Sequence, residues 1–166
     1  MRTVVLWVVT VLGVCALSLV AAPAARAAEL SIETNLTDDG IAVNGCDPVA
    51  YFTKGEPTMG RSALQYEHQG IVYRFASEEH RQTFIANPPR YVPAYGGFCA
   101  YGVRTGRKFE IDPNSWRIVD GRLYLLLNPG TKVIWELQRS SNIQIANAIW
   151  PTIKPFPDEE LEKRTP

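Results

Sequence analysis

The most specific chemistry this chain could perform is that of sulfur. It contains three cysteines, Cys15, Cys46 and Cys99, two histidines, His68 and His80, and a methionine, Met59, that falls between the second and third cysteines. Cys46 and Cys99 allow three readings. In an oxidising compartment two thiols form a disulfide, and closing the loop between them would contribute roughly 4 kcal/mol through the entropy of the unfolded chain. Thiolates helped by an imidazole or a thioether would instead select a soft ion such as copper(I) or zinc, with His80, His68 and Met59 as the available helpers. Two unpaired buried thiols are the third reading. No Cys-x-x-Cys pair occurs, so a thiol redox enzyme has little support.

Asp47 and Asp112 are candidates for paired acid–base carboxylates. Each precedes a proline, and a turn-forming role is the simpler expectation. His80 falls in the first turn of an expected helix, where a side chain can bond back to the cap; a ligand or proton-transfer role is the alternative. His68 is expected at the surface, at a strand end. Tyr95, Phe98, Tyr101, Trp116 and Tyr124 would either line an apolar ligand pocket or pack the core. Gly96-Gly97 is too short to cradle a phosphate. No complete catalytic motif is present, and a non-enzyme is the expectation.

The elements that must hold these residues follow from pattern. Leu64, Tyr66 and His68 alternate with polar neighbours, Gln69-Gly70 intervenes, and Ile71 to Phe75 resumes, which reads as a β-hairpin. Asp120-Gly121 between Trp116–Val119 and Leu123–Leu127 predicts a second. A short strand is expected at Ala42–Asn44. Ser77 caps a helix with Glu78 and Glu79 in its first turn and Phe84 and Ile85 on its apolar face, ending at Asn87-Pro88-Pro89. Asn128 caps another with Pro129 at its first position, and Val133, Ile134 and Leu137 share one face. A shorter helix from about Asn142 stops before Pro151, and the tail from Lys154 is expected to be extended or disordered. The fold class is α+β: small antiparallel hairpins flanked by short helices in a single domain.

Composition limits the function. With 17 basic and 17 acidic residues, a broad basic face for nucleic acid is not expected. Arg2, the uncharged apolar run 4–20 and the small residues of Ala25-Arg26-Ala27 have the layout of a secretory signal cut before Ala28. An uncleaved anchor is the alternative, since 17 residues is the short limit for a span. The expected organisation is a signal at 1–27, a lead-in at 28–39, a globular body at 40–150 and a Pro-rich charged tail at 151–166. Such a chain would be exported, periplasmic or secreted, with no membrane span after cleavage.

The runs Gly45-Cys46-Asp47-Pro48-Val49-Ala50-Tyr51-Phe52, Tyr73-Arg74-Phe75-Ala76-Ser77-Glu78-Glu79-His80 and Asn87-Pro88 to Tyr91 resemble the YHS domain family. Its exported bacterial members are also similar in Tyr95 to Gly102 and in Asp112-Pro113 to Trp116, so the likeness spans roughly residues 40–150. The resemblance implies metal binding through cysteines. Here Ala50 and Ala76 stand at those two cysteine positions, leaving His80, and alanine offers no donor atom. The expected function is an exported, non-catalytic binding module for a metal ion or small ligand near Cys46, Cys99 and His80. The alternative is an envelope interaction or scaffold protein with a structural disulfide and no ligand.

Overall fold

Two hairpins organise the chain. A computed structural model describes residues 23–164; the apolar run 4–20, with Cys15, lies outside the described residues. Strands β1 (Arg61–His68) and β2 (Ile71–Phe75) pair antiparallel with Tyr66 opposite Tyr73. Strands β3 (Asp112–Val119) and β4 (Arg122–Leu126) pair with Ile118 opposite Leu123. Both two-residue turns put their central residues at positive φ, Gln69-Gly70 at 56° and 86° and Asp120-Gly121 at 50° and 74°. That geometry matches the right-handed twist of the flanking strands.

Helices α1 (Pro23–Glu33), α2 (Ala50–Thr53), α3 (Glu78–Ala86), α4 (Pro88–Tyr91), α5 (Ala100–Arg104), α6 (Pro129–Leu137), α7 (Arg139–Ile153) and α8 (Asp158–Arg164) pack around the hairpins. The result is a single-domain α+β fold. The Ser77 side chain accepts the His80 N–H at the start of α3, and that of Asn128 accepts the Thr131 N–H at the start of α6. Phe84 on α3 is fully buried and places its ring 4.8 Å from Tyr73 and 5.2 Å from Phe75, which seats α3 on the first hairpin. Gly96 lets two segments meet: its carbonyl accepts the Asn35 N–H, and a Cβ there would sit 2.1 Å from the Glu33 carbonyl oxygen.

Several local expectations give way to tertiary contacts. Ala42–Asn44 is no strand; Ala42 makes a single bridge to Leu36, and Val43 and Asn44 then turn at positive φ. Helix α7 begins at Arg139 and runs through Pro151, because the turn beyond the proline closes through the Lys154 N–H to the Trp150 carbonyl. Instead of an extended tail, residues 158–164 form α8, which buries Leu161, and Asp158 accepts two bonds from the Arg107 guanidinium. Lys108, buried between them, donates from Nζ to the carbonyls of Ile32, Lys154 and Phe156 at 2.6, 2.8 and 2.7 Å. One ammonium therefore ties the last turn of α1 to the connection between α7 and α8, although burial draws its pKa down to about 8. Leu30, Ile32 and Glu33, which contact the body, all follow the cut expected before Ala28.

Candidate functional site

Asp47 and His80 are the most tightly built polar pair. Asp47 is fully buried, and its Oδ1 accepts the N–H groups of Val49 and Ala50, which starts α2. Its Oδ2 accepts the Ala76 N–H at 2.9 Å and faces His80 Nδ1 at 2.6 Å. The turn role expected for Asp47 is present, and the same carboxylate joins α2, the end of β2 and α3. The His80 ring does not return to its cap. Its Nε2 lies 3.2 Å from the Thr53 hydroxyl, which is also 3.1 Å from the Val49 carbonyl. An acid, an imidazole and a hydroxyl are in line, but none of the three lines any of the main clefts. Asp112 serves its own turn, accepting from Asn114 and Ser115, and these bonds hold its carboxyl below the usual range. His68 lies half-buried at its strand end with its ring edge against Phe84.

The two sulfurs go separate ways. Cys46 and Cys99 are buried and unbridged, which is the third of the three readings the sequence left open and not the disulfide. Cys46 Sγ lies 3.6 Å from Met59 Sδ, beside the Tyr51 hydroxyl. Cys99 Sγ instead receives the N–H groups of Gly102 and Leu127, at 3.5 and 3.3 Å. Desolvation raises the pKa of both thiols. His80 is taken by Asp47 and Thr53, so the expected set of Cys46, Cys99 and His80 is not assembled. No group of three or more His, Cys, Asp or Glu residues among the described residues is arranged to hold a metal ion. Cys99 has a structural consequence: it caps α5 and fixes the turn that leads into α6.

The expected aromatic pocket is filled by packing. Tyr95, Phe98 and Tyr124 are buried, with the Tyr95 ring tilted against Tyr124 and Trp150, and Phe98 near Trp150. Trp116 packs edge-on against Tyr51 instead. Of the five, only Tyr101 borders a hollow that also involves α6.

Helix α6 carries the open apolar surface. Trp135 faces the core and is fully buried, so Val133, Ile134 and Leu137 are left 62%, 51% and 78% exposed. On one side of them, β3 and α6 enclose a cleft of about 520 Å³ lined by Asn114, Ser115, Arg117, Lys132, Val133 and Leu137, among others. On the other lies a smaller hollow of about 220 Å³, where Tyr101 and Arg104 of α5 face Ile134 and Leu137. The Arg117 and Arg139 side chains both reach the Glu136 carboxylate, at 2.6 and 2.9 Å. Lys132 lines the same cleft as Arg117 and Glu136. The spacing of Val133, Ile134 and Leu137 marked the helix but not the direction of the face. Arg117 and Lys132 carried no signal of their own.

No family model, curated protein or solved structure matches this chain. The likeness to YHS domains therefore rests on the motifs alone, and function has to be argued from side chains.

Proposed function

We propose that this protein is a non-catalytic binding module whose site is the cleft between β3 and α6, and that its ligand is a small amphipathic anion. The carrying observation is the exposure of Val133 and Leu137 beside a cleft of about 520 Å³. Clefts of roughly 300–1,000 Å³ with apolar walls and a few polar groups suit small molecules, and exposed apolar patches on a folded surface mark sites of interaction. Lys132 and Arg117 line the cleft together with Glu136, which pairs with Arg117 at 2.6 Å, so Lys132 is the cation left to favour an anionic head group. Neither Cys46 nor Cys99 lines this cleft, so the reading moves the expected binding away from the cysteines. On the layout of residues 4–28, we place the protein outside the cytoplasm, in the periplasm or secreted.

Titration with the fluorescent apolar anion anilinonaphthalene sulfonate tests this reading. The wild type should bind a single dye with enhanced emission, and Leu137→Glu, on an exposed position, should weaken binding at least tenfold without altering the circular dichroism spectrum. Equal binding by both proteins refutes the assignment. Loss of dye binding with recovery of a stable protein complex through the same face would favour the interaction-protein reading instead.

A further inference from the structure

The smaller hollow beside α6 contains a cation that the fold leaves unused. Arg104, in the last turn of α5, borders this space of about 220 Å³ together with Tyr101, Ile134, Leu137, Gln138 and Asn142. Among the described residues its side chain has neither an ion pair nor a hydrogen bond, and its buried Nε is without a partner. Other arginines of the chain are not left so: Arg107, Arg117 and Arg139 reach carboxylates at 2.7, 2.6 and 2.9 Å. The Arg104 guanidinium stands instead 5.6 Å from the centre of the Tyr101 ring, a cation–π contact that leaves its N–H donors free.

We propose that the hollow between α5, α6 and the start of α7 binds a short organic carboxylate, its anionic head on Arg104 and its apolar group against Ile134 and Leu137. The guanidinium is a planar fork that matches the two oxygens of a carboxylate. Nearby acids do not compete for it. Glu136 already holds Arg117 and Arg139, and the first turn of α7 contains no acidic residue. Gln138 starts α7 without spending its side chain on a cap, so its amide can donate to the same anion. Asn142 is committed: it is 2% exposed, and its Nδ2 donates to the Trp135 carbonyl at 2.8 Å, which fixes that wall.

The walls set the size of the ligand. This volume lies below the roughly 300–1,000 Å³ of sites for larger organic molecules, so a branched short-chain acid fits. Inorganic phosphate would satisfy the guanidinium but leave Ile134 and Leu137 uncovered. The site is separate from the larger cleft. Leu137 borders both, but Lys132 lines only the larger and Arg104 only the smaller, so either assignment can fail without the other.

The test is titration of the isotopically labelled full chain with isovalerate, followed through its amide shifts. Saturable shifts are expected at residues 101–104 and 137–142. The neutral analogue isovaleramide and inorganic phosphate should each bind at least tenfold more weakly. Arg104→Met, which removes no hydrogen bond or ion pair, should lose at least tenfold in affinity, and Lys132→Met should bind as wild type does. The proposal is overturned by the absence of saturable shifts with isovalerate, or by equal binding of isovalerate and either the amide or phosphate. Equal affinity of Arg104→Met and wild type, or a loss that follows Lys132, overturns it as well.

Discussion

Removing the Asp47 carboxylate should cost more than any other single polar change in the chain. Asp47→Ala withdraws the acceptor from Val49, Ala50 and Ala76 N–H groups and from the His80 ring. Ala50 keeps a backbone bond to the Asp47 carbonyl at 3.2 Å, so three donors are stranded. Val49 is fully buried and has no route to water; one such donor costs about 1–3 kcal/mol. Breaking one side of a buried, hydrogen-bonded pair typically costs about 3–5 kcal/mol in total, and that is the expected loss in urea unfolding at neutral pH. Since a domain of this kind holds about 5–15 kcal/mol, the variant should lie close to its unfolding limit. Asp47→Asn keeps one acceptor oxygen and should lose less. The internal standard is Ser77→Ala, which removes an ordinary helix cap worth about 1 kcal/mol. If Asp47→Ala costs no more than Ser77→Ala, the carboxylate is not the junction of α2, β2 and α3.

Three further outcomes follow from the same packing. Trp135→Ala should lose about 3–5 kcal/mol in denaturant unfolding, as a fully buried large side chain does. Trp135→Phe should lose far less, because the buried indole N–H has no partner to forfeit. Lys108→Met should leave three carbonyls unbonded and raise amide exchange in α1 and α8 above that of the hairpins; uniform exchange would contradict the clamp. Arg107 holds the Asp158 carboxyl below its ordinary value, so the folded chain protonates it less readily than the unfolded chain does. That contribution is complete above the usual carboxylate range and disappears as pH falls through the lowered value. Asp158→Asn should thus show a shallower loss of stability below about pH 4 than wild type, followed by the exchange of α8 amides.

Short-range chemistry made much of the architecture legible. Gln69-Gly70 and Asp120-Gly121 encode their turns within two residues, and Ser77 and Asn128 encode caps within three. What the sequence concealed was set by partners far along the chain. His80 reads locally as a capping-turn residue, and its ring is claimed by Asp47, which lies 33 positions away. The prolines after Lys154 read as an extended tail, yet Asp158 finds Arg107 and Leu161 finds the core. Helical spacing grouped Val133, Ile134 and Leu137 correctly; burial of Trp135 decided that this face looks outward. Cys46 and Cys99 share a sequence logic but not a neighbourhood, because one pairs with Met59 while the other takes two backbone N–H groups.

The proposed binding surface beside α6 is tested most directly by amide chemical-shift mapping during titration with a medium-chain fatty acid anion. Saturable shifts should cluster at residues 114–117 and 129–138 and vanish in Leu137→Glu. Shifts confined to the first hairpin, or no saturable shifts at all, would contradict the assignment of the cleft.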